Sequence, residues 1–236
     1  MPVFDPVVFT NADNIFIAPT ARIDSFVKVE GGRGVTIGEH VHIASFAHIN
    51  IGGGEVVIDA RNRRFNNRRG VLFARQDLKA ESAEFDNRAG SIATRGKLTL
   101  STGEVNNEGG LLQALKSLDL DTHGQALYNL HSGKDQGVRA GTDLHIKAGA
   151  LGNGAGVVVA GGQARLQVSS LDNQGGDIAT GGGLRIEADS VDNRGGLLSS
   201  QGTLSVSDPA SPRRLVIDNE GGRILAGGDL SLRPTP

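Results

Sequence analysis

The chain has 236 residues, of which 35 are glycine; 38% are hydrophobic, 4% are aromatic, and tryptophan and cysteine are absent. A core of large side chains is therefore excluded in favour of a narrow interior of small and β-branched residues, and disulfides and thiolate metal sites are excluded outright. A formal charge of −2 gives no electrostatic reason to expect nucleic acid or an anionic membrane as a partner.

The start, Met1-Pro2-Val3-Phe4-Asp5-Pro6, has no basic stretch followed by an apolar one, so no signal peptide is read here. No apolar run approaches the roughly 20 residues that span a bilayer. The expectation is a soluble chain without membrane insertion, which is a fragment of its parent if that parent is secreted.

Residues 1–59 follow a period of six. Ile17, Ile23 and Val29 are evenly spaced, as are Ile37, Ile43 and Ile49, with Gly31-Gly32-Arg33-Gly34 forming a small loop between the two series. Small or β-branched residues recur within the hexads at Ala21, Val27, Val41 and Ala47. Three hexads make one triangular coil of a β-helix. The stretches Ile17–Ile23 and Ile37–Ile49 resemble the hexapeptide-repeat acyltransferases. That resemblance implies a left-handed β-helix, trimers, acyl-CoA bound between subunits and a histidine general base. His40, His42 and His48 are the histidines on offer. They also fit as outward polar residues alternating with Val41, Ile43, Ala47 and Ile49, and the pattern stops near Ile58, short of the array such enzymes use.

From residue 60 to 236 the period lengthens. An apolar-x-Asn-x-x-Gly motif places asparagine at 67, 87, 107, 129, 153, 173, 193 and 219, and four of the seven intervals are 20 residues, the rest being longer by a few. The residue two before each asparagine is apolar, from Phe65 to Ile217, and the residue three after it is glycine in every copy but one, Ser132. Pairs such as Leu98/Leu100, Leu166/Val168 and Leu204/Val206 alternate with period two, the mark of a strand with one buried face. Glycine at this density disfavours helix. Short strands at a fixed period predict stacked coils, with the asparagines forming a hydrogen-bonded ladder. The glycine that follows allows either positive φ or close backbone approach. The longer intervals predict loops around Gly133–Gly137, Gly152–Gly156 and Asp208–Arg214.

The units Leu171–Ile186 and Ile217–Leu232 resemble the filamentous haemagglutinin repeats of large exoproteins exported by bacterial two-partner secretion. The resemblance implies a right-handed β-helix of about 20-residue coils in a secreted or cell-surface fibre, whose parent protein attaches to host-cell surfaces, neighbouring cells or glycans. The predicted fold is thus all-β: a right-handed solenoid over 60–236, preceded by a short left-handed hexapeptide segment over 1–59. The change of rule near Asp59–Phe65 suggests an engineered chimera in which the first segment caps the array. A monomer is expected, with trimerisation through 1–59 as the alternative.

Chemistry-bearing motifs are scarce. There is no nucleophile elbow and no phosphate-binding Walker loop. His123, His131 and His145 lack metal-ligand spacing. Asp172, Asp192 and Asp218 fall on successive coils and read as turn carboxylates or, alternatively, as a calcium column. The basic cluster Arg61, Arg63, Arg64, Arg68 and Arg69 reads as a solvated junction or a heparin contact. No catalytic, cofactor-binding or metal-binding residue is assigned, and the chain is read as a structural stalk and not an enzyme. The alternatives are an acyltransferase fragment using His40, His42 or His48, and a glycan- or heparin-binding module.

Overall fold

The structure, a computed structural model, describes residues 56–60, 63–208 and 215–233 in full, together with the backbone of seven strands between Val8 and Ile51. Among the described residues all regular structure is β-strand. Each coil has three short strands, and each strand pairs in parallel with its counterpart one coil on. In one coil these are Ser91–Thr94, Leu98–Ser101 and Glu104–Asn106. They pair with Leu111–Ala114, Leu118–Asp121 and Ala126–Tyr128 respectively. Stacking of equivalent strands produces three faces, with coils about 4.8 Å apart.

Period-two patterning decides which side chains enter. Ile92, Leu98, Leu100 and Val105 are fully or almost fully buried, while Ala93 and Thr99 between them face outward. The same alternation repeats up the array, so the core is a column of leucine, isoleucine, valine and alanine. Its largest fully buried side chains lie near the junction, where the rings of Phe65 and Phe85 stack with centroids 5.0 Å apart and planes 7° from parallel. In the coils starting at Leu144 and Ala164 the second and third strands run together as nine-residue strands, Leu144–Gly152 and Ala164–Asp172.

The backbone of the first segment follows the same three-face order. Val8 pairs with Lys28, Ile15 with Val35 and Arg22 with His42, each a step of 20 residues. The period of six seen in the sequence is therefore close to the spacing of successive strands inside a coil. His48–Ile51 then pairs with Val71–Ala74, joining this segment to the array. His42 and His48 lie in strands, but their side chains, and His40 altogether, lie outside the described residues.

The turn after each ladder asparagine makes two separate demands. The residue two after it has positive φ in all eight coils, between 48° and 65°: Arg69, Ala89, Gly109, His131, Ala155, Gly175, Gly195 and Gly221. The residue three after it needs space: a Cβ on Gly176 would lie 2.1 Å from the carbonyl oxygen of Asn153. Of the two roles the sequence allowed for this glycine, close approach is the one it fills.

The extra residues of the longer intervals fall at particular corners. Ser101 pairs with Asp121, 20 residues on, but Val105 pairs with Leu127, 22 on, so the first two-residue insertion lies in the Thr122–Gln125 corner. The next insertion falls between Asn129 and Gly137, as expected. The expected loop at Gly152–Gly156 is instead the ordinary ladder turn, because Asn153 aligns with Asn173 without any inserted residue. The third insertion lies between Ser207 and Val216, where residues 209–214 are outside the described residues.

Left-handed backbone costs a non-glycine residue about 1–2 kcal/mol. Replacing Ala155 by glycine should therefore stabilise the array by roughly 1 kcal/mol after glycine's greater unfolded-state entropy is subtracted. The neighbouring Gly156→Ala should destabilise it, since its Cβ would meet the Asn129 carbonyl oxygen at 1.9 Å. Urea melts of the two variants check both signs.

Candidate functional site: the asparagine ladder and the outer faces

The ladder is a continuous side-chain hydrogen-bond chain. Each Nδ2 donates to the Oδ1 of the next asparagine, at 2.7 Å from Asn67 to Asn87, 2.8 Å from Asn107 to Asn129 and 2.6 Å from Asn193 to Asn219. The links across Asn129–Asn153 and Asn153–Asn173 are both 2.7 Å, although the intervals differ by four residues. Seven of the eight asparagines are completely buried. The second proton on Nδ2 goes to backbone carbonyls, as from Asn173 to Gly176 at 3.0 Å and to Leu197 at 3.1 Å. At the exceptional coil Ser132 replaces the glycine, and its hydroxyl accepts from the Val157 amide at 2.7 Å. Among the described residues the ladder starts at Asn67, whose buried Oδ1 has no hydrogen-bond partner among them.

Outside the ladder, the residue before the asparagine caps the turn in six of the eight coils. Asp172 Oδ1 accepts from the Gln174 amide at 3.0 Å, Asp192 from Arg194 at 3.1 Å and Asp218 from Glu220 at 3.1 Å. Asn66, Asp86 and Asn106 do the same. Sequence reasoning noticed this acidic column without assigning it that task. Its two gaps, Tyr128 and Gly152, are adjacent.

Two buried carboxylates collect arginines. Asp86, 1% exposed, accepts from Arg88 through Nε at 2.9 Å and Nη2 at 2.7 Å, and is also contacted by Arg64. Burial pushes its pKa up, but the hydrogen bonds and charge of Arg88, with the charge of Arg64, outweigh that and hold it below the ordinary aspartate value. Arg64 also bridges to Glu84 at 3.1 Å, and Arg68 lies 3.9 Å from Asp86, so part of the basic cluster is already engaged. Arg63 and Arg69 are exposed, and Arg61 lies outside the described residues.

Glu187, on another face, was not singled out from sequence. Arg165 Nη2 reaches both its oxygens at 3.0 Å, Arg185 Nε donates at 2.7 Å and Gln167 Nε2 at 2.7 Å. With its amide so oriented, Gln167 presents Oε1 to His145 Nε2 at 2.8 Å. The other histidines are separate: His123 Nε2 lies 2.9 Å from Ser101 Oγ, and His131 Nδ1 lies 3.4 Å from Glu108. Among the described residues no three histidine or acidic side chains converge on a position for a metal ion.

Removing a middle rung strands its neighbours. Asn153→Ala leaves the buried Asn173 Oδ1 without its donor, a loss of about 1–3 kcal/mol. Asn219→Ala, at an exposed rung, should cost distinctly less; equal shifts in urea midpoint would contradict the ladder's energetic role. Burial also raises the pKa of Glu187, but the bonds from Arg165, Gln167 and Arg185 prevail and lower it. A depressed folded pKa contributes stability above the unfolded value, about 4.3 for glutamate, and that contribution is lost as pH falls through the folded value. Thermal melts from pH 6 to 3 should therefore show a smaller acid loss in Glu187→Gln, starting from a lower stability at pH 6.

The sequence matches the haemagglutinin repeat over residues 49–130, 124–208 and 214–234. No curated protein and no solved structure gives a match. The match covers well over half of the chain, and its repeats coincide with the coils, ladder and turns described above. The chain belongs to the haemagglutinin repeat family.

Proposed function

We propose that this chain is a section of the stalk of a bacterial filamentous adhesin, exported by two-partner secretion to the cell surface or medium, and that it holds the attachment regions of its parent at a distance without catalysing a reaction. The observation that carries this reading is the ladder. Its geometry stays constant across intervals of unequal length, and its side chains are consumed in linking coil to coil. A part whose repeated polar residue is spent inside is suited to length and stiffness. The first segment fits as the N-terminal cap of this rod, since His48–Ile51 would otherwise leave the strand edge at Val71–Ala74 unpaired.

Excision of residues 71–110 tests the stalk reading. Val71 pairs with Ser91 and Ser91 with Leu111, so the cut removes two whole coils in register. The rod should remain folded and shorten by about 10 Å, as measured by small-angle scattering, and cells displaying the shortened parent should still attach. Loss of attachment by a correctly folded, shortened rod would place the contact in these coils and overturn the reading.

A further inference from the structure

Asn153 is the one asparagine in the chain followed directly by glycine, and no aspartate is so followed. The pair carries a chemistry of its own. The backbone nitrogen of the residue after an asparagine can attack the side-chain carbonyl, and a Cβ on that residue obstructs the approach. Glycine removes the obstruction and leaves its backbone free to turn.

Folding does not call for glycine at 154. The equivalent position carries a side chain in the seven other coils, from Arg68 to Glu220. A Cβ on Gly154 would meet Leu130 Cδ2 at 3.5 Å and the Gln174 carbonyl oxygen at 3.8 Å, both ordinary contacts. Its φ lies outside the left-handed region. Gly156 in the same turn is different, since a Cβ there would lie 1.9 Å from the Asn129 carbonyl oxygen.

The same turn lacks its cap. In six coils the side chain before the ladder asparagine accepts from the amide two residues on, as Asp172 does from Gln174 at 3.0 Å. Here that place belongs to Gly152, which has no side chain, and the Gly154 amide has no acceptor among the described residues. The turn is next to the other uncapped one, after Tyr128, and to the insertion before Gly137. Backbone that lacks such bonds belongs to the part of a fold that opens most readily.

In the closed coil the pair is held inert. Asn153 is completely buried, its Nδ2 donates to Asn173 Oδ1 at 2.7 Å, and its Oδ1 accepts from Asn129 Nδ2 at 2.7 Å. The main-chain carbonyl of Asn153 accepts from the Gly156 amide at 2.9 Å. Turning Cγ toward the Gly154 nitrogen would break both rungs at once, and burial keeps water from the amide.

We propose that Asn153-Gly154 is a conditional modification site, silent while the ladder is closed and converted to aspartate and isoaspartate when this coil opens. The Gly154 nitrogen bonds to Asn153 Cγ, the Cγ–Nδ2 bond breaks, and Nδ2 leaves as ammonia with the proton that Gly154 gives up. Water then opens the cyclic imide. Cleavage of the new bond at Cγ gives aspartate, and cleavage at the main-chain carbonyl gives isoaspartate. Either product damages the ladder. Aspartate at 153 supplies no amide donor to the buried Asn173 Oδ1 and sets acceptor against acceptor. Isoaspartate adds a methylene to the main chain and shifts the register. The loss of ammonia is irreversible, so a chain that stays open loses this rung for good. The stalk reading concerns the closed rod and is independent of this inference.

The test incubates the full chain in mildly alkaline buffer, folded or denatured in urea. Tandem mass spectrometry and enzymatic methylation of isoaspartate then read conversion at every asparagine. In urea Asn153 should convert at least tenfold faster than any other ladder asparagine, and at least tenfold faster than it does in the folded chain. Gly154→Ala should slow the reaction in urea at least tenfold while keeping a urea midpoint no lower than that of the parent chain. Asn153→Asp, one of the two products, should lower that midpoint. Conversion spread evenly over the ladder, equal rates with and without urea, an undiminished rate in Gly154→Ala, or an unchanged midpoint in Asn153→Asp would each overturn the proposal.

Discussion

A buried primary amide has two donors and an acceptor to satisfy, and in this molecule the adjacent coils and a carbonyl of the same turn satisfy them together. That requirement governs the rest. An asparagine at the corner cannot tolerate a neighbour displaced along or around the coil, because each link of 2.6–2.8 Å is part of a chain with the next. Such chains polarise and reinforce one another in a low dielectric. The corner therefore keeps its geometry, and length variation is pushed to other places. Two extra residues enter at Thr122–Gln125 and four enter before Gly137, yet Asn107, Asn129 and Asn153 remain in line. The hydrophobic column benefits from the same discipline. Leucines such as Leu118, Leu144 and Leu184 stack at one level of each coil because the ladder holds the coils in register.

The corner also shows why two residues often occupied by glycine are not equivalent. The position two after the asparagine needs a left-handed backbone, which alanine, arginine and histidine can adopt at a cost. The position three after it needs an absent side chain, because the carbonyl oxygen of the previous coil's asparagine occupies that space. The first demand is local and energetic, so it is met loosely. The second is steric and set by a neighbouring coil, so only the serine coil departs from glycine. There the Ser132 hydroxyl accepts from the Val157 amide, and Gly137, with a φ of 90°, leaves room for the Val157 carbonyl oxygen of the following coil.

Features carried by the chain's own periodicity were legible in the sequence. The strands around Leu98/Leu100 and Leu204/Val206 followed from alternation within a coil, and the inward Phe65 and Phe85 and the existence of the ladder from recurrence at intervals near 20 residues. What depends on the adjacent coil was not legible. Spacing alone could not put the two-residue insertion at Thr122 or bring Arg165 and Gln167 onto Glu187, because those contacts are made about one coil away in sequence; the acidic column caps amides only two residues on, but a period does not show where a side chain points. The first segment illustrates the same limit. Its six-residue rhythm is visible in Ile17, Ile23 and Val29, but the 20-residue step from Val8 to Lys28 emerges only when strands are paired.

Because the fold's requirements are met inside and at the corner, the outward positions carry little of that burden. Their side chains nonetheless form ordered networks across coils, as Arg64, Arg88 and Asp86 do on one face and His145, Gln167 and Glu187 do on another. A rod of this design can change what it touches without changing how it stands. At such positions a residue that neither the core, the ladder nor the turn requires tells something other than folding. Gly154 is one: the seven other coils carry a side chain at its position, and neither a close contact nor a left-handed backbone calls for glycine there.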